Sequence, residues 1–136
     1  MIIAYLKTSL RAALLVLLAG CGDAAGRQAL QGSVAIDGEP LPKGVIQFVP
    51  LPGTNGPTAG GEIQDGRFSI KPDKGVFSGV FRVEITASRK TGEKVIDRIS
   101  GEMTDAHAQF LPDRYNRRSE LTAEVQEGGP NRFEFT

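Results

Sequence analysis

Val80-Phe81-Arg82-Val83-Glu84-Ile85-Thr86-Ala87 alternates strictly, with Phe81, Val83 and Ile85 on one side and Arg82, Glu84 and Thr86 on the other. A period of two places successive side chains on opposite faces of an extended chain, so this stretch reads as a strand with one dry face and one wet face. The same pattern recurs on both sides of it. Gly60–Gln64 and Arg67–Ile70 flank Asp65-Gly66, a dipeptide that accepts the positive φ angles of a tight hairpin. Leu30, Val34 and Ile36 share one face of a strand over 29–36, and Asp37-Gly38-Glu39-Pro40-Leu41-Pro42 turns the chain. Val45-Ile46-Gln47-Phe48-Val49 is almost continuously apolar and reads as a central strand. Downstream, Leu121, Ala123 and Val125 alternate with polar neighbours. Phe133 and Phe135 close the chain after a Gly128-Gly129-Pro130-Asn131 turn.

Seven short strands at this spacing, with no helical stripe among them, predict an all-β antiparallel sandwich of the immunoglobulin-like or prealbumin-like kind. Each sheet alone would leave an apolar face wet, so two must pack face to face. All but one of the seven Phe fall within or beside the strands as core candidates. The 17 Gly and 8 Pro suit a turn-rich β chain. The whole chain, 136 residues, has room for one domain. Two segments break the pattern: the Pro50–Pro57 loop, and 88–119, where Val95, Ile96 and Ile99 predict a short extra strand or a cover over the sandwich. Long irregular segments in small domains are often functional, so binding specificity is expected in one of these two.

The N-terminus carries a different signal. Lys7 and Arg11 precede the apolar run Ala12–Ala19, the charge and length pattern of a secretory signal helix. Eight apolar residues span about 12 Å as a helix, far short of a ~30 Å hydrocarbon core. Leu18-Ala19-Gly20-Cys21 then resembles the lipobox of bacterial lipoproteins, and Cys21 is the chain's one cysteine. The resemblance implies a diacylglyceryl thioether on Cys21, cleavage before it and acylation of the new amino terminus. The resulting division is a signal peptide over 1–20, a lipidated Cys21 with a small, polar tether over 21–28, and a folded domain over 29–136. Such a chain is expected on the extracytoplasmic side of the inner or outer membrane, its partner a membrane lipid through the acylated Cys21.

The domain has its own likeness. Gly32–Phe48 resembles the opening of carboxypeptidase-regulatory-like (transthyretin-like) domains, with Asp37-Gly38, Pro40-Leu41 and Gly44 in the matching places. Asp65-Gly66-Arg67-Phe68 and Gly79–Ile85 are similar to later segments of that pattern, with Phe81 where Tyr is common. Leu111-Pro112-Asp113-Arg114-Tyr115-Asn116, Ser119–Val125 and Asn131–Phe135 resemble the ending of a family of small bacterial lipoproteins. The likeness implies a seven-stranded prealbumin-like sandwich with no established catalytic residues, so none is carried over.

Chemistry has little raw material. Sixteen basic residues balance sixteen acidic ones, which argues against a nucleic-acid partner. His107 is the one imidazole, with Asp105 two residues before it; zinc needs three or four ligands and a serine triad needs a strained nucleophile turn, so it reads as an exposed loop histidine. Asp37, Asp65, Asp73 and Asp105 follow no calcium-loop pattern, so no metal site or cofactor is expected. Arg114, Tyr115, Asn116, Arg117 and Arg118 form the candidate partner-binding loop, suited to an anionic partner; alternatively Tyr115 packs on the sandwich and the arginines are solvated. The function these features predict is a noncatalytic binding or scaffolding module of the cell envelope, contacting an envelope protein or glycan. The alternative is a lipoprotein hydrolase drawing on Glu62, Asp65, Asp97 and Glu102, which would require two of those acids to be buried together in a pocket.

Overall fold

The computed structural model describes residues 26–136; the signal segment, Cys21 and the first part of the tether lie outside the described residues. The chain is all-β. Its strands are β1 (Leu30–Ile36), β2 (Glu39–Pro40), β3 (Lys43–Pro50), β4 (Ala59–Gln64), β5 (Arg67–Ile70), β6 (Gly79–Thr86), β7 (Ser88–Ile96), β8 (Met103–Gln109), β9 (Thr122–Val125) and β10 (Arg132–Phe135). Seven of them occupy the predicted positions, and they run in the order β10-β1-β5-β4-β3-β6-β9.

The sheet curls because its two halves barely join. β4 and β5 share a single register pair, Gln64 with Arg67, next to the turn between them. One half, β10-β1-β5, therefore folds over the other, β4-β3-β6-β9, and their apolar faces meet as a sandwich. Leu30, Val34, Phe68 and Ile70 come from the first half, and Ile46, Phe48, Ile63, Phe81, Val83, Ile85 and Val125 from the second; all are buried. Phe48 links them, its ring 5.9 Å from Phe68 and 6.0 Å from Phe133. Tilted aromatic pairs of this kind contribute about 0.5–1.5 kcal/mol each beyond the area they bury.

Both Asp-Gly turns take the geometry their residues favour. Asp37 and Gly38 have φ of 53° and 83°, and Asp65 and Gly66 have 50° and 75°. Positive φ at both central positions matches the right-handed twist of the flanking strands. After the first turn β2 doubles back on β1, pairing Glu39 with Ile36. One pair departs from the antiparallel rule: β10 lies parallel to β1, with Gln31 opposite Arg132 and Val34 opposite Phe135. The chain closes its sheet by running the last strand alongside the first in the same direction.

Three further differences have physical reasons. β3 is central, between β4 and β6, yet it alternates: Ile46 and Phe48 are buried while Val45 is 41% exposed. Phe77 and Phe110 lie outside the core, each beneath an arginine, Arg27 at 5.9 Å and Arg89 at 5.3 Å. A guanidinium over the ring face contributes about 0.5–1 kcal/mol at such exposed sites, part of what burial supplies elsewhere. The segment 88–109 holds the expected extra strand, with Val95 and Ile96 at the end of β7 and Ile99 in the turn after it. The strand is longer than expected and paired, and it is not a cover. β7 and β8 form a separate two-stranded sheet, with every residue of β7 exposed. It is an arm continuing β6 beyond the body.

Candidate partner-binding site

The chain gives the body two distinct ends. Gln28 pairs with Val76, just before β6 begins, and its side-chain oxygen accepts from the Gly128 amide at 3.0 Å. The segment that leads into β1 thus joins the body beside the start of β6. The arm leaves from the finish of β6, at Ala87, and returns at Phe110, whose amide donates to the Ala87 carbonyl at 3.1 Å. The eight residues of β6 separate the two ends, on the order of 26 Å.

The 111–119 loop lies at the arm end. Leu111 is buried, and Asp113–Tyr115 makes one 3₁₀ turn. Tyr115 and Asn116 turn inward; the tyrosine is 9% exposed, so of the two sequence readings of this residue, packing on the sandwich is the one the structure has. Asn116 Nδ2 donates to the carbonyls of Ile85 (3.3 Å) and Pro112 (3.2 Å), and Ser119 Oγ donates to the Val83 carbonyl. The bonds to Ile85 and Val83 use carbonyls of β6 beyond the reach of short β9, whose pairing covers only Gly79 to Arg82. The loop thereby takes the place of an edge strand.

The three arginines stand outside. Arg114 lies with its guanidinium carbon 4.8 Å from the Tyr115 ring centre. Arg117 forms a forked pair with Asp113, at 3.2 and 2.9 Å. Arg118 has no salt-bridge partner among the described residues. The candidate loop therefore splits: Tyr115 and Asn116 build it, and Arg114, Arg117 and Arg118 present charge.

Beside it is a cleft of about 790 Å³, floored by Gly44 and Val45 of β3 and walled by Glu62, His107, Gln109, Leu111 and Arg117. Gln109 fixes one wall by accepting the Ala87 amide through Oε1 at 2.8 Å. No sequence signal marked this cleft, because its residues come from five separate segments. His107 belongs to it, on strand β8 and not on a loop. Of the hydrolase candidates Glu62 alone lines it; Asp65 lies in the β4–β5 turn, and Asp97 and Glu102 sit at the arm tip. Glu84, which also lines the cleft, is salt-bridged to Arg82 at 2.5 Å. Among the described residues no three His, Cys, Asp or Glu gather as a metal site, Asp37, Asp65, Asp73 and Asp105 included.

Asp105 instead serves the arm. Lys90 and Lys94 of β7 each lie 2.5 Å from it, and their hydrogen bonds, Lys90's first, hold its carboxyl below the ordinary 3.8. At the tip Asp97 accepts the Ile99 and Ser100 amides, both at 2.8 Å, and these bonds lower its carboxyl too.

Compared with family models, curated proteins and solved structures, the chain finds no match in any of the three.

Proposed function

We propose that the chain is a lipid-anchored binding module of the bacterial cell envelope, held to the membrane through Cys21 and contacting its partner with the opposite end of the body. The observation that carries this is the segment Leu18-Ala19-Gly20-Cys21 behind a charged, apolar leader, with the chain's one thiol where a lipobox requires it. The placement of the two ends supports it: the tether side of the body carries Gln28 and Val76, while the arginines, the cleft and the arm lie at the other. A domain tied down at the tether side would present that opposite end to the periplasm or the medium. The resemblance to carboxypeptidase-regulatory-like lipoproteins points the same way. An anionic partner, an acidic polypeptide or glycan, suits Arg114, Arg117 and Arg118 beside a cleft of mixed polarity.

The test is metabolic labelling of the full chain with a fatty acid, followed by membrane fractionation. The unsubstituted protein is expected to take up label and sediment with membranes, and Cys21→Ser to lose the label and leave the membrane fraction or accumulate with its leader uncut. Equal partitioning of the two forms would refute the anchor.

A further inference from the structure

Among the described residues the arm has two free edges, and they are unlike. The β7 edge is interrupted by a register shift between Lys90 and Lys94 and by Gly92 at φ 90°. Such irregularity is a usual means of keeping an edge strand from pairing. The β8 edge, Met103-Thr104-Asp105-Ala106-His107-Ala108-Gln109, has no Pro, Lys, Arg or Gly and belongs to no other sheet.

The ladder fixes which backbone groups face outward. At the tip the Asp97 amide donates to the Glu102 carbonyl at 2.8 Å, and at the root Phe110 donates to Ala87. Antiparallel ladders alternate, so the even-numbered residues of β8 turn their N–H and C=O toward β7. Met103, Asp105, His107 and Gln109 turn theirs to the free edge. That edge complements itself. Laid antiparallel against a second β8 about Ala106, Asp105 meets His107, Met103 meets Gln109, and all four fall in hydrogen-bonded pairs. A shift of the centre to Asp105 or to His107 sets like against like.

We propose that this edge joins two copies of the chain, β8 to β8, with the twofold axis through Ala106, to give a four-stranded ribbon β7-β8-β8-β7. A lone two-stranded ribbon has marginal stability in water, whereas four strands support one another. The pairing also accounts for the apolar tip. Ile99 is 99% exposed, Ile96 65% and Met103 62%. With the arms antiparallel, each tip lies beside the root of the other, where Phe110 is 40% exposed and Leu111 opens on the cleft. The dimer thus brings a second chain to each cleft. It stands apart from the anchor, since it uses no residue before Ser88.

Cysteine crosslinking in the full chain tests it, with the unsubstituted chain as reference. Ala106 opposes its own copy in a non-hydrogen-bonded pair, at about 4.5 Å between Cα atoms, within disulfide range. Ala108 opposes Thr104, so two copies of Ala108 lie roughly 13 Å apart, out of range. Mild oxidation is expected to convert most of A106C to a species of twice the mass and to leave A108C at the reference level. His107→Pro removes an outward N–H without touching a bond to β7, and in the A106C background it is expected to abolish the crosslink. Absence of an A106C dimer, equal yield from A108C, a crosslink indifferent to His107→Pro, or an adduct of another mass would overturn the proposal.

Discussion

Asn116 donates through Nδ2 to the carbonyl of Ile85, 3.3 Å away and 31 residues earlier in the chain. The bond is buried, and it fastens the arginine-bearing loop to the strand that leads into the arm. Removing it leaves a buried carbonyl without a partner, which costs about 1–3 kcal/mol. Asn116→Ala is expected to lower stability by that amount in urea unfolding. Arg117→Ala, which breaks an exposed pair with Asp113, is expected to cost no more than about 1 kcal/mol. Equal losses would contradict the division of the loop into residues that build it and residues that present charge.

Gly32 has no room for a side chain. A Cβ there would fall 1.9 Å from the Phe133 carbonyl oxygen, so the parallel β1–β10 pairing depends on its absence. The obstacle is backbone, which cannot rotate aside. Gly32→Ala is expected to destabilise the domain by about 1–3 kcal/mol or more and to detach β10, read as lost amide protection at Phe133 and Phe135. Gly38→Ala offers a control, having open space but a φ of 83°; its cost is expected to stay confined to the first turn.

Phe48 is fully buried and touches both halves of the sandwich through Phe68 and Phe133. Phe48→Ala is expected to cost about 3–5 kcal/mol, the range for deleting a buried aromatic ring. Phe110→Ala, at the exposed root of the arm, is expected to cost far less. Calorimetric midpoints of the two variants check the contrast.

Acid is expected to loosen the arm before the body. The carboxyls of Asp105 and Asp97 both lie below the ordinary 3.8 in the folded chain. A depressed folded value means that the stabilisation is fully present above the ordinary one and is lost as pH falls through the depressed one. Lys90, raised above 10.5 chiefly by its hydrogen bond to Asp105, gives the opposite limb: its contribution holds below 10.5 and is lost as pH rises past the raised value. Amide chemical shifts of Ser88–Gln109 are therefore expected to move toward disordered values below pH 3.8 while those of β3 and β6 hold. Simultaneous loss in arm and body would refute the assignment.

The fold was legible wherever one face of a strand meets the core. Phe81, Val83 and Ile85 are buried as their alternation requires, and both Asp-Gly turns have the φ signs their residues favour. The arm was legible only as a short extra strand at Val95 and Ile96, for the complementary reason. With both faces of β7 in water, no face selects apolar residues, and the period-two signal that betrays a strand is missing. The parallel direction of β10 left no mark either, because Phe133 and Phe135 alternate identically in both directions. At the site, the string Arg114–Arg118 was visible as charge, but the inward turn of Tyr115 and Asn116 answers to carbonyls on β6 that no local pattern reveals. The cleft, assembled from distant segments, was invisible for the same reason.

The arm extends β6, and the amino-terminal tether meets the body beside that strand's opposite extremity. Tension applied between the amino-terminal segment and the arm would run along the strand axes. Antiparallel ladder bonds lie across that direction. The bonds between β6 and its neighbours β3 and β9 would then share the force in shear, all at once, and would not peel open one after another.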